Sequence, residues 1–364
     1  ITLGPKTLTA IGSQDSTFAG VITGLGSLTL AGDNTLSLSG INTFTGQTQV
    51  TRGILGLTGI GSIADSSSVS IGSLGEVDLS SSTSGATLQA LTGSGNVTLG
   101  EQTLTVNATA SSTFSGAITG LGGLTLTGSG SNTFTLEGTN EYLGSTSLES
   151  QTLSLSGSGS IASSSSVSLD FAATLDISGV DSGANIQSLS GSGQITLGTK
   201  TLRAVQNSLG LFSGSITGSS GSFIKEGDAT LILSGTSNSY TGETGVQSGT
   251  LQLAAENVIP SGSTVNFVNT PGALLNLNDN DTAVANISGG GTLGGWIDLG
   301  SATLTVGSAS SDATYSGIIY DGNSGGGLTK VGSGALSLAG ANTYSGLTTL
   351  ERGSLVAAAA NTFS

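Results

Sequence analysis

The stretch Gly334-Ala-Leu-Ser-Leu-Ala-Gly-Ala-Asn-Thr-Tyr-Ser-Gly-Leu-Thr-Thr-Leu-Glu-Arg-Gly-Ser-Leu355 decides the fold. Leu336 and Leu338 alternate with small residues, the period-two pattern of a strand with one buried face. Gly340, Asn342, Gly346 and Gly353 interrupt it at short intervals with residues that favour turns. A four-residue strand carrying two leucines cannot enclose a core by itself. The pattern makes sense only if similar strands lie above and below it.

Such strands are present along the chain. Leu36, Leu38, Gly40, Asn42, Phe44, Gly46, Thr48, Gly53 and Leu55 repeat the spacing in a first copy. Leu231, Leu233, Gly235, Asn238, Tyr240, Gly242, Thr244, Gly249 and Leu251 give a third, with one extra residue after Gly235. The second departs most: Phe134 replaces a leucine, and Gln151 stands where glycine is expected. A second landmark, Leu-Gly-x-x-Thr-Leu, ends at Leu8, Leu104, Leu202 and Leu304, at intervals of 96, 98 and 102 residues. An aromatic two residues before glycine follows each one, at Phe18, Phe114, Phe212 and Tyr315. These landmarks divide the chain into long repeats at about 1–95, 96–193, 194–295 and a partial 296–364, read as one continuous solenoid truncated at both ends.

Composition agrees. Of 364 residues, 61 are Gly, and charged residues make up 8%, where ordinary domains have about 25%. The mean hydropathy is nevertheless positive, which argues against disorder. Alternation sets Leu, Val and Ile on one face and Ser or Thr on the other. Stacked coils at about 4.8 Å spacing let every strand pair with its counterpart in the next coil. Coils of roughly 20–25 residues give about 15–18 of them in a rod of about 70–90 Å. The expected fold is therefore an all-β parallel β-solenoid built from hundred-residue repeats. A string of β-sandwich domains fits worse, because there is one Trp and there are three Pro. Ala357–Ala360 is the one helix-friendly run, and it is too short to be stable alone.

The motif Gly334, Leu336, Leu338, Gly340, Asn342, Tyr344, Gly346, Thr348, Gly353 and Leu355 resembles the autotransporter-associated β-strand repeat of type V secretion passenger domains. The resemblance implies a right-handed parallel β-helix, export through the outer membrane, and display on or release from the cell surface. It also implies a translocator barrel elsewhere in the full-length protein.

Several function classes are excluded by residue type. There is no His and no Cys, so His-dependent Ser triads, Cys nucleophiles and His or Cys zinc sites are absent. The seven basic residues are scattered and the net charge is −15, which argues against nucleic acid. No apolar run is long enough for a membrane-spanning helix. Carboxylate pairs that a polysaccharide-active β-helix enzyme would need are Glu76 with Asp78, Asp170 with Asp176, and Asp279 with Asp281. Asp78, Asp176 and Asn278 fall at similar phases of successive repeats, which suits a structural ladder better than a single catalytic pair. Asn276 to Asp281 reads as an Asn/Asp corner, with calcium held by Asn278, Asp279 and Asp281 as the alternative. Trp296 reads as packing over neighbouring glycines, with a sugar platform as the alternative. The recurring rings at Phe18, Phe114, Phe212 and Tyr315, and at Phe44, Tyr142, Tyr240 and Tyr344, read as stacks placed once per long repeat.

No cofactor is expected. The expected function is a non-catalytic surface adhesin or scaffold acting by multivalent contact. Its partner would be a host or neighbouring-cell surface, a glycan, or the same chain. A filament or surface-layer subunit is the alternative class.

Overall fold

The structure, a computed structural model, describes residues 1–358, so the run at 357–360 and the terminal Asn-Thr-Phe-Ser lie partly or wholly outside it. All regular structure among these residues is β, and the strands pair in parallel. The chain divides into two compact units, Ile1–Asp181 and Ser182–Ser364. Each is a parallel β-solenoid.

In the first unit, inward residues stack in columns. One runs Leu8, Leu28, Thr48, Val69 and Leu91. Another runs Ala86, Leu104, Leu124, Thr146 and Val167. The intervening residues point outward and form hydroxyl ladders, such as Thr105, Thr125, Ser147 and Ser168. In the second unit Leu202, Phe223, Thr244, Val265 and Ile287 make a similar column. The apolar interior is dry: Leu28, Leu104, Leu202 and Val265 are all at most 1% exposed. Burial of these short alternating strands is what makes them strands, because a two-residue apolar face has no other partner.

The structural unit is not the hundred-residue repeat. Paired residues lie from 18 apart, as in Ala86 with Leu104, to 26 apart, as in Gly289 with Tyr315. A long repeat thus spans a non-integral number of turns. The four landmark leucines show the consequence. Leu8, Leu104, Leu202 and Leu304 are equivalent in sequence, yet each belongs to a different sheet.

Glycine is required where successive turns touch backbone to backbone. A Cβ on Gly116 would lie 1.7 Å from the Gly95 carbonyl oxygen and 2.7 Å from Cζ of Phe114. The Cζ tip of the Phe114 ring occupies the space a side chain on Gly116 would need, which explains the aromatic-x-Gly spacing. At Gly353 the requirement is conformational as well, since its φ is +77°.

Two lysines interrupt the apolar columns. Lys225 pairs with Ala204 and Val246, and Lys330 with Val306 and Leu350. They are 0% and 1% exposed. The Lys225 ammonium donates to the carbonyl oxygens of Glu226, Gly227 and Ser248 at 2.7–2.9 Å, and Lys330 donates to those of Val331 and Gly332. Each aliphatic stem fills a core position while its head satisfies a corner. The sequence held a signal for this. Gly-x-x-x-Lys at 221–225 and 326–330 aligns with Gly-x-x-x-Leu at 26–30 and 122–126.

Candidate functional site

The repeat motif is a brace inside the coil. Asn42, Asn140 and Asn238 each span three turns. Asn140 Oδ1 accepts the Ile118 amide at 3.0 Å, and its Nδ2 donates to the carbonyls of Gly138 and Ser160 at 2.9 and 3.0 Å. Asn42 does the same with Ile22, Gly40 and Ser62, and Asn238 with Ile216, Gly235 and Val258. In the fourth copy, Asn342 accepts the Ile319 amide at 2.8 Å. Two residues on, the tyrosine hydroxyl meets the motif threonine. Tyr142 to Thr146 is 2.6 Å, Tyr240 to Thr244 is 2.8 Å, and Tyr344 to Thr348 is 2.7 Å. The threonine in turn reaches a buried serine, Ser164 or Ser263, one turn further. In the first copy Phe44 has no hydroxyl, and Thr48 meets Ser66 alone at 2.9 Å. Those serines lie outside the motif, so their part in the brace was missed from sequence.

The recurring rings do not stack on one another. Phe44, Tyr142, Tyr240 and Tyr344 are at most 1% exposed, each within its own turn. Ring contacts join Phe223 to Tyr240, and Phe267 to Tyr315 across the intervening Gly289. Members of one series are separated by several turns of about 4.8 Å each, so they cannot touch. The expectation of one stack per long repeat is corrected accordingly.

The candidate carboxylates mostly serve corners. Asp78 accepts the Ser80 amide at 2.8 Å and Asp176 the Ser178 amide at 2.9 Å. The third member of this series is Asn276, which accepts the Asn278 amide at 2.7 Å, rather than Asn278 itself. Glu76 accepts the Thr98 hydroxyl at 2.7 Å. Asp170 is exposed beside a turn. Asn278 and Asp279 adopt the left-handed conformation, with φ of 49° and 64°. Asp279 Oδ1 accepts both the amide and the hydroxyl of Ser301, at 2.7 and 3.0 Å, which holds its carboxyl below the usual range. Asp281 accepts the Thr303 amide at 2.7 Å. Asn278, Asp279 and Asp281 thus form the Asn/Asp corner. Among the described residues no three carboxylates converge as a metal would need.

The most differentiated surface lies in the second unit. Trp296 and Tyr320 point outward from neighbouring strands, half-buried, their ring planes at 88° and centroids 6.5 Å apart. The indole N–H donates to the Gly291 carbonyl at 3.2 Å, which fixes the ring. Two grooves flank it. One, of about 470 Å³, is bounded by Trp296, Ile318, Tyr320 and Thr343. The other, of about 290 Å³, runs past Leu274, Leu293 and Trp296. Gln252, Asn276 and Asp298 precede Tyr320 in its outward column. Burial and the neighbouring Asp298 raise the Tyr320 phenol above its ordinary value. The loop after Tyr320 is shaped by buried Asp321, which accepts the amides of Asn323, Gly325, Gly326 and Ser345 and the Ser345 hydroxyl. Burial opposes its ionisation, but those donors prevail and hold its pKa at about 2.

Parallel coils, internal Asn and Tyr–Thr braces and hydroxyl-bearing outer walls define a repetitive passenger-type solenoid. The family model described as the passenger-associated-transport-repeat matches residues 28–57, 223–253 and 328–357. These segments hold the first, third and fourth motif copies. The second, with Phe134 and Gln151, lies outside them. Over 345 residues the chain is 38% identical to the adhesin BmaC autotransporter of Brucella suis biovar 1 (strain 1330). The match covers 90% of this chain and 10% of that protein. No solved structure matches the chain. The chain carries these repeats and is similar to autotransporter passenger domains, and its place is extracellular, at the cell surface or released from it.

Proposed function

We propose that this segment is a non-catalytic adhesive scaffold that presents long polar ladders to another surface. The observation that carries the reading is the outer wall of hydroxyls, of which Thr105, Thr125, Ser147 and Ser168 are one column, while the outward carboxylates of Asp78 and Asp176 are engaged at corners. A repeated weak donor–acceptor array gains strength by multivalency rather than by one deep site. The kinship to a protein named an adhesin supports the same reading. The partners would be host or neighbouring-cell surfaces, glycans or a second copy of the chain. A translocator barrel elsewhere in the full-length protein would export it.

The test is attachment. Beads coated with the purified chain should be retained on mammalian cells, extracellular matrix or bacteria expressing the full-length protein. Retention on none of them, at coating densities where a control adhesin binds, would refute the reading.

A further inference from the structure

At two outward positions the earlier long repeats place polar residues where the last places rings. Asn96 and Gln194 hold the position that Trp296 holds later, and Thr119 and Thr217 hold that of Tyr320. The pairing confirms the equivalence: Thr98 lies opposite Thr119, Thr196 opposite Thr217, and Asp298 opposite Tyr320. The fold therefore needs no ring at either place. Two large rings have been added to an outer wall where burial covers only part of each.

We propose that Trp296 and Tyr320 bind a neutral hexopyranose unit of a glycan, stacked on the indole. The proposal rests on the adhesive reading above and names its partner class. One face of a pyranose carries polarised C–H groups, which suit the negative face of an indole. Its rim carries hydroxyls that need donors and acceptors. Because the Trp296 N–H is engaged by Gly291, the indole offers its apolar surface. Tyr320, perpendicular to it, closes one side as a wall. Asn323 and Thr343 line the larger groove and Thr250 the smaller, and they supply the polar rim. The larger groove, about 470 Å³, is of a size that holds a small ligand. No Lys or Arg lines either groove and the chain carries a net charge of −15, so sialylated and sulfated sugars are repelled.

The sequence has one tryptophan, so its fluorescence reports this site alone. The purified chain is titrated with neutral gluco-, galacto- and manno-oligosaccharides into the millimolar range. A saturable spectral shift with at least one of them is expected. Trp296→Gln and Tyr320→Thr restore the residues of the other copies and should leave melting unchanged. By calorimetry each should weaken binding about tenfold or more. The proposal is overturned by no response to any neutral sugar, by a response only to anionic sugars or to choline, or by unchanged affinity in both variants. Bead attachment is read in parallel. Equal attachment by wild type and variants removes the sugar site and leaves the adhesive reading standing. Saturable sugar binding without attachment to any surface does the reverse.

Discussion

The side chain of Asn140 takes the place of a strand rung for Ile118, accepting its amide from one turn away while donating to its own turn and to the next. Strands are short here because corners intervene, and at a corner the backbone cannot satisfy its own donors. One carboxamide, with one acceptor and two donors, joins three turns where the ladder breaks.

Asn140→Ala should therefore expose three unpartnered groups at once. The expected loss is about 3 kcal/mol, at about 1 kcal/mol for each bond. Stability in a solenoid is local, so the change should appear as faster amide exchange around Ile118 and Ser160, with distant turns unaffected.

The Tyr–Thr–Ser brace separates two variants. Tyr240→Phe reproduces the arrangement already present at Phe44 and should cost less than about 1 kcal/mol. Thr244→Val strands the Tyr240 hydroxyl in a buried site and should cost about 1–3 kcal/mol. Chemical unfolding of the two variants, measured side by side, checks the order. Equal costs would show that the hydroxyl chain contributes nothing beyond packing.

Gln151 stands where the other copies place glycine, and both its amide atoms are buried without partners. Burying an amide unpaired is unfavourable. Gln151→Gly should raise stability by about 1 kcal/mol, the gain of losing two orphaned groups exceeding the flexibility that glycine adds. A lowered melting midpoint would count against this account.

Alkaline pH should act in two opposite stages. Burial lowers the Lys225 pKa to about 8 from its ordinary 10.5, against the pull of Asp228 and Glu226. Between those values the unfolded chain holds a proton that the folded chain has released, so this contribution grows with pH and is full above 10.5. Burial also pushes the phenols of Tyr142, Tyr240 and Tyr315 well above their ordinary 10.0. Above that value the folded chain keeps protons that the unfolded chain loses, so stability falls. Denaturation midpoints should rise from pH 8 toward 10 and fall beyond it. In Lys225→Leu the rise should shrink, with Lys330, also lowered by burial, supplying what remains.

The architecture was legible because its signal is local. Alternation in Leu336-Ser337-Leu338, corner glycines and recurrent landmarks suffice to specify short stacked strands. The brace was half legible. Asn342, Tyr344 and Thr348 stand out by recurrence, but Ser164 and Ser263 sit a turn away in sequences full of serine. The buried lysines were present as an alignment of Lys225 and Lys330 with Leu30 and Leu126, but a scattered-charge reading passes over it. The outward half-burial of Trp296 could not be read at all, since glycines beside a tryptophan permit packing above them equally well.

Sequence alone determined that this chain is a solenoid with dry Leu, Val and Ile columns, because strand periodicity and turn residues act within a few positions. Only the tertiary structure decided which residues share a column. The interval of 96 residues from Leu8 to Leu104 does not divide evenly into turns of about 21 residues, so these two leucines, alike in sequence, stand in different sheets. That phase is set by the summed lengths of every intervening corner, a non-local quantity. The length of the single turn between them brings Trp296 and Tyr320 together on one outer wall.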